Sequence, residues 1–244
     1  MPLDQAEAIV LRTSPIGDQD KLCSLLTREK GLLRGVAKGA RKFGNRFGSS
    51  LEPMSHVKVF YYEKERRELV TISACDLLDS FFDVQKDLRA ALTTSYFAEL
   101  VEEFVPARTH EDVLFRLLLA VLQALEGRGD PDFLTRYFEV WLLQVHGVLP
   151  EVKRCKKCRK DIEADGWLAP RRDGVYCGDC APVRKEEVRR ELALFLGWAR
   201  KNPPPRESIP GFGPAELKTI GAALQAMIVY HLEREPRSLR YLKT

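Results

Sequence analysis

The stretch KLCSLLTREKGLLRGVAK, residues 21–38, decides the fold. Lys21–Thr27 and Leu32–Lys38 are short strand-like runs, and the intervening Lys30-Gly31 is a turn signal. Working outward, Ala8–Arg12, Val57–Glu63 and Leu69–Cys75 have the same character. Pro15-Ile16-Gly17-Asp18 and the glycine-rich stretch 39–50 separate them. Five such strands within about 75 residues predict a small barrel, with the five-stranded OB-fold the natural candidate.

Beyond residue 80 the apolar period changes from two to that of a helix. Leu88, Leu92, Leu100 and Phe104 mark a helix over Asp87–Val105, which Pro106 stops. Thr109 and Asp112 have the form of a capping box opening a second helix through Leu125, which Gly127 ends. Asp130-Pro131 is an N-cap and first-turn pair for a third helix, ending at Gly147. Val188, Leu192, Phe195 and Leu196 predict a fourth helix before Pro203-Pro204-Pro205. Leu217, Ile220, Leu224, Met227 and Ile228 predict the last. The expected class is α+β multidomain: an OB-fold over 1–80 and a helical domain over 81–150 and 183–244, interrupted by a cysteine module over 151–182.

Cys155-x-x-Cys158 and Cys177-x-x-Cys180 have the spacing of a two-knuckle zinc ribbon. Two residues between cysteines let both sulfurs converge on one ion, and two such turns complete a tetrahedron. With four sulfur ligands no position remains for an activated water, so the expected cofactor is one structural Zn²⁺. The competing redox dithiol needs one reactive pair between a strand and a helix, not two matched pairs flanking a turn-rich stretch. Six basic residues crowd Lys153–Lys160. They offset the −2 charge of a four-thiolate zinc site and add solubility, with DNA contact the sharper alternative. Cys23 and Cys75 lie in strand patterns and read as buried thiols.

Residues 28–46 hold Arg28, Lys30, Arg34, Lys38, Arg41, Lys42 and Arg46 against Glu29, a local +6 in a chain of net charge +4. Arg34, Val36 and Lys38 share one strand face, and Arg34 and Lys38 are roughly 14 Å apart at about 3.4 Å per residue. Gly39, Gly44 and Gly48 allow close backbone approach, and Phe43 and Phe47 can stack on bases. The expected nucleic-acid contacts are Arg34, Lys38, Arg41, Lys42 and Arg46; a solvated charged loop is the plainer reading. Phe60, Tyr61 and Tyr62 default to the core.

Other chemistry finds no home. Gly39 and Gly44 have phosphate-loop spacing, but Asn45-Arg46 stands where Lys-Ser/Thr is required. No serine sits in a nucleophile elbow, and His56, His110, His146 and His231 are scattered without a helical HExxH partner. Asp130 and Asp132 read as helix-start residues. The N-terminus carries Asp4 and Glu7 where an export signal is basic then apolar, and no apolar run has membrane-spanning length. The expectation is a cytoplasmic, nucleoid-associated protein without catalytic residues.

The strand-rich start, Lys38-Gly-Ala-Arg-Lys42, the Leu51-Glu-Pro53 step, the helical body and the late cysteine pairs together resemble the RecO family of bacterial recombination mediators. Met54 departs from the aromatic residue expected there. The resemblance implies binding of single- and double-stranded DNA and annealing of complementary strands. It also implies work with the RecR ring protein, engagement of the acidic tail of single-stranded-DNA-binding protein, and help in loading RecA recombinase. An RNA-binding or transcription-associated zinc-ribbon adaptor is the alternative.

Overall fold

The computed structural model describes residues 3–63, 68–107, 109–207 and 211–242. The chain divides into two compact units, residues 1–126 with 241–244, and residues 127–240.

Five strands open the first unit: β1 (Leu3–Ile16), β2 (Asp20–Thr27), β3 (Gly31–Ala37), β4 (His56–Tyr62) and β5 (Val70–Asp79). They close into a barrel in the order β1-β2-β3-β5-β4, the arrangement expected of an OB-fold. β1 runs well past the predicted Ala8–Arg12 because it serves two partners. Leu3–Ile9 pairs with β4 and Ala8–Ile16 with β2, and the β2 pairing carries a register shift between Val10 and Arg12. The closing pair, β3 with β5, is parallel over Gly35–Ala37 and Val70–Ile72. Gly35 is required there: a Cβ would lie 2.7 Å from Val70 Cγ2 and 2.9 Å from Ile72 Cγ1.

Alternation sets the barrel core. Ala8, Val10, Leu25, Leu33, Val57, Val59, Tyr61 and Ile72 point inward, joined by Phe47 and Leu51 from the long β3–β4 connection. Cys23 and Cys75 lie among them as buried free thiols. Of the three β4 aromatics only Tyr61 is core; Phe60 and Tyr62 are half-buried on the outer face. The strand's period of two does not let all three point the same way.

A 3₁₀ turn (Phe82–Lys86), α1 (Leu88–Phe104) and α2 (Asp112–Glu126) complete this unit. Both helices thus fall in the barrel's unit, whereas their period alone grouped them with later helices. The Asp87 carboxylate caps α1 by accepting from Ala90 N at 2.8 Å. The buried face of α1 runs through Tyr96, Phe97, Leu100, Val101 and Phe104, and Leu88 is exposed. The expected capping box does not form. Thr109 donates to the Pro106 carbonyl, and Asp112, the first residue of α2, accepts from Arg28 and Arg116.

The second unit contains α3 (Pro131–Val145), the cysteine module, α4 (Arg190–Ala199) and α5 (Pro214–Leu232); a last turn, α6, spans Leu239–Leu242. Asp130 caps α3, accepting from the N–H groups of Asp132 and Phe133, with Pro131 in the first turn. Phe133, Phe195, Trp198 and Phe212 form an aromatic core with neighbouring centroids from 5.0 Å apart. Between α3 and α4 the module folds as a three-stranded sheet, β7 (Val175–Tyr176), β6 (Gly166–Leu168) and β8 (Glu187–Val188) in that order. Val188 is therefore in a strand and not in α4, since its neighbour Glu187 pairs with Trp167 on β6.

Candidate nucleic-acid interface and metal centre

The cations of residues 28–46 separate into two groups. Arg28 bridges Glu7 (3.0 Å) and Asp112 (2.7 Å), and Lys30 pairs with Asp4. Both are spent on holding the barrel to its own N-terminal strand and to α2. His56 extends this network, with Nε2 2.9 Å from Glu7 and Nδ1 2.8 Å from Asp79. Burial raises the Glu7 carboxyl, but hydrogen bonds from His56 and Arg28 outweigh it and hold Glu7 below its ordinary range. The local +6 thus overstates what faces solvent.

The second group is Arg34, Lys38, Arg41, Lys42 and Arg46. All five are exposed, and among the described residues none has a carboxylate within ion-pair distance. Arg34 stands on β3, whose alternation turns Leu33 and Gly35 inward and Arg34 outward. Lys38 follows at the strand's end, and the chain then winds through hydrogen-bonded turns. Gly39, at φ +70°, donates its N–H to Asp20 at 2.8 Å, and Lys42 N donates to the Gly39 carbonyl at 3.1 Å. Lys38, Lys42 and Arg46 line a cleft of about 410 Å³ with Phe43, Asp20 and Asn45. Arg34 and Arg41 lie outside it; Arg41 Nη1 donates to the carbonyls of Gly17 (3.3 Å) and Asp18 (3.1 Å).

Phe43 and Phe47 part company. Phe43 is fully exposed at the cleft, whereas Phe47 is buried in the barrel core beneath the Arg46 guanidinium. Of the two, Phe43 is the one that can meet a base. A further aromatic surface went unread in the sequence: Phe60, with Lys58 Nζ 5.5 Å over its ring, lies on the outer face of β4. The alternation on β4 separates Phe60 from Tyr61 but does not say which face is core; the barrel's closure does.

In the cysteine module the four Sγ atoms of Cys155, Cys158, Cys177 and Cys180 lie within 4.8 Å of one another. Cys158 and Cys177 sulfurs are 3.8 Å apart. A tetrahedron with Zn–S bonds of about 2.3 Å has an edge of about 3.8 Å, so this set fits such an ion. All six cysteines are free thiols, which leaves no disulfide to explain the approach. Burial raises the Cys155 thiol, yet backbone N–H groups of Cys158, Cys177 and Lys157 bring it down to about 6. Cys180 is pushed up to about 12 by burial and by its neighbouring cysteines, a repulsion that a divalent cation at the centre reverses.

Small residues let this module close. A Cβ on Gly166 would lie 2.5 Å from Val175 Cγ1. The Trp167 ring covers Gly178 in the second knuckle and carries the Arg184 guanidinium 4.9 Å from its centroid. Six basic residues ring the first knuckle, of which Arg154 pairs with Asp161 and Lys156 with Asp173.

Among the described residues, no helix is long and apolar enough to cross a membrane. Comparison with known proteins places this geometry. The family model "Recombination protein O N terminal" matches residues 1–81, and "Recombination protein O C terminal" matches residues 85–240. A protein of Koribacter versatilis named DNA repair protein RecO is 40% identical over 189 residues, 78% of this chain and 77% of the relative. One of the same name from Geobacter metallireducens is 32% identical over 248 residues, covering 100% of this chain and 98% of the relative. Together these matches, spanning the barrel, the helices and the cysteine module, show that the chain belongs to the RecO family of DNA repair proteins.

Proposed function

We propose that this protein binds single- and double-stranded DNA through Arg34, Lys38, Arg41, Lys42 and Arg46 and anneals complementary strands without catalysing a covalent step. One observation carries this reading: five exposed cations, without acid partners among the described residues, gather on one stretch of the barrel, three of them lining a cleft with exposed Phe43. Strand pairing needs cations that neutralise phosphate while leaving base edges free. Lysines and arginines on a barrel rim supply this, and duplex formation is itself downhill, so no fuel is required.

The cysteine cluster holds one structural Zn²⁺ through Cys155, Cys158, Cys177 and Cys180. Its bound ion supplies cross-linking, because four protein sulfurs leave no coordination position for substrate. The family's cooperation with the RecR ring protein, the acidic tail of single-stranded-DNA-binding protein and RecA recombinase extends to this chain as part of the proposal, as does a cytoplasmic location. Relatives named for DNA repair support this reading over an RNA adaptor.

The test is annealing of complementary labelled oligonucleotides, scored without nucleotide. Faster pairing with the protein than without it is expected. Pairing at the spontaneous rate, or a clear preference for RNA of equal sequence in competition, would overturn the proposal.

A further inference from the structure

The first cysteine knuckle has more positive charge than its own structure uses. Of the six cations between Lys153 and Lys160, Arg154 and Lys156 are neutralised by Asp161 and Asp173. Lys153, Lys157, Arg159 and Lys160 remain exposed, and no carboxylate partner exists for them among the described residues. Nor do they serve the sulfurs. Backbone amides do that, as where Cys177 N donates to Cys155 Sγ at 3.4 Å, and no described lysine or arginine head reaches a cysteine sulfur. Any offset of thiolate charge by these four therefore acts only through space and holds none of their heads in place.

Arg159 adds an independent observation. Its φ is +63°, in the left-handed region that a Cβ disfavours, and its N–H closes the knuckle by donating to the Cys155 carbonyl at 2.9 Å. Glycine would adopt this turn without strain. Arg172 shares such a backbone (φ +58°), but its guanidinium is anchored on Glu186 at 2.6 Å and the Ala169 carbonyl at 3.1 Å. Arg159 has no such anchor. A strained arginine aimed at solvent from a tight turn is a cost that the fold itself does not explain.

We propose that this knuckle is a second polyanion site, binding the sugar–phosphate backbone of a nucleic-acid strand through Lys153, Lys157, Arg159 and Lys160. Its surface favours nucleic acid over an acidic protein. Among the described residues from 114 to 189 the one exposed large apolar side chain is Val183, which alone does not make the clustered aromatic and aliphatic anchors of a protein interface. Phosphate contact needs only the cations. The inference goes beyond the barrel reading, because it gives the second unit a site of its own. One chain then holds two strand segments, which is what pairing of strands requires.

The test uses the full-length zinc-loaded chain, a Lys157→Ala/Arg159→Gly/Lys160→Ala variant, and the barrel variant Lys38→Ala/Arg41→Ala/Lys42→Ala. Each is titrated with a short labelled oligothymidine, and zinc content and thermal midpoint are recorded. Two oligonucleotides per unaltered chain are expected, and one for either variant. Removing three phosphate contacts should also lower the logarithmic salt slope of the affected site by about 2. Arg159→Gly alone should keep or raise the thermal midpoint while weakening binding, a split that a purely structural role does not produce. The knuckle proposal fails if the knuckle variant still binds two oligonucleotides, or if the unaltered chain binds one and the barrel variant none. It fails too if an acidic peptide, and not oligothymidine, distinguishes knuckle variant from unaltered chain. If the knuckle variant binds none while the barrel variant keeps one, the knuckle site stands and the barrel reading falls.

Discussion

The Arg46 guanidinium lies 4.5 Å over the Phe47 ring, and its Nε donates to the Ser73 carbonyl at 2.6 Å. Phe47 is buried in the barrel core, so a core residue positions a surface cation. Arg46 is held before any ligand arrives, which lowers the ordering cost of binding.

Phe43 and Phe47 should therefore respond in opposite ways to truncation. Phe43→Ala removes about 1–3 kcal/mol of single-strand affinity, as loss of a base-stacking aromatic does, and leaves the thermal midpoint unchanged. Phe47→Ala costs about 3–5 kcal/mol of stability, as loss of a buried phenylalanine does. Anisotropy titration and thermal melting of both variants check this; equal affinity losses without a stability difference would contradict the assignment.

Gly221 on α5 faces buried Arg136 on α3, and a Cβ at that glycine would sit 2.0 Å from Arg136 Nη1. The guanidinium cannot swing away cheaply. It pairs with fully buried Glu139 at 2.9 Å. Gly221→Ala should destabilise the chain by about 3 kcal/mol, the low end of breaking a buried ion pair. Denaturant unfolding measures it, and a gain of about 0.5–1 kcal/mol, as an unhindered helical Gly→Ala change gives, would show that Arg136 is not confined.

Acid should weaken the first unit through three carboxylates. Hydrogen bonding to Lys30 lowers Asp4, and that to Arg28 lowers Asp112. Glu7 is lowered by His56 and Arg28 against the opposing effect of burial. A folded-state value below the unfolded one means stability fully present above the ordinary 3.8–4.5 and lost as pH falls through the lowered values. Melting midpoints should therefore drop steeply below about pH 4. Arg28→Gln should flatten that drop, since two of the three carboxylates lose a partner; an unchanged acid limb would exclude the network as its cause.

Thiol chemistry separates the six cysteines. Burial pushes Cys23 up to about 11 and Cys75 up to about 12, so their thiolate populations at neutral pH are on the order of 10²-fold and 10³-fold below that of a free thiol. Zinc-loaded protein should resist alkylation at all six positions. A chelator should expose Cys155, Cys158, Cys177 and Cys180 while sparing the barrel pair, and loss of metal should unfold the module. Mass spectrometry counts the adducts. Rapid alkylation of the four in metal-replete protein would argue against a closed site.

What could be read in the sequence followed periodicity and spacing. The five strands were visible as short runs of strand-forming residues between turn signals, and the knuckles because two residues between cysteines is a metal spacing. The true length of β1 was hidden, since its N-terminal half makes sense only with β4 beside it, some fifty residues away in the sequence. Counting charge could not show that Arg28 and Lys30 are spent on Asp4, Glu7 and Asp112. Thr109 with Asp112 matched a local capping pattern, but the Asp112 carboxylate has better partners in Arg28 and Arg116. Phe43 and Phe47 look alike in sequence; only the path of the β3–β4 connection buries one of them.

The most direct test is the salt dependence of single-strand binding by the unaltered chain and by Lys38→Ala/Arg41→Ala/Lys42→Ala. With about four phosphates neutralised at the barrel, affinity there should fall roughly 50-fold between about 50 and 200 mM salt. In the variant that barrel-derived loss should shrink with the slope, and annealing should fall with it. Identical slopes and undiminished annealing would contradict the assignment of the barrel cations to nucleic acid.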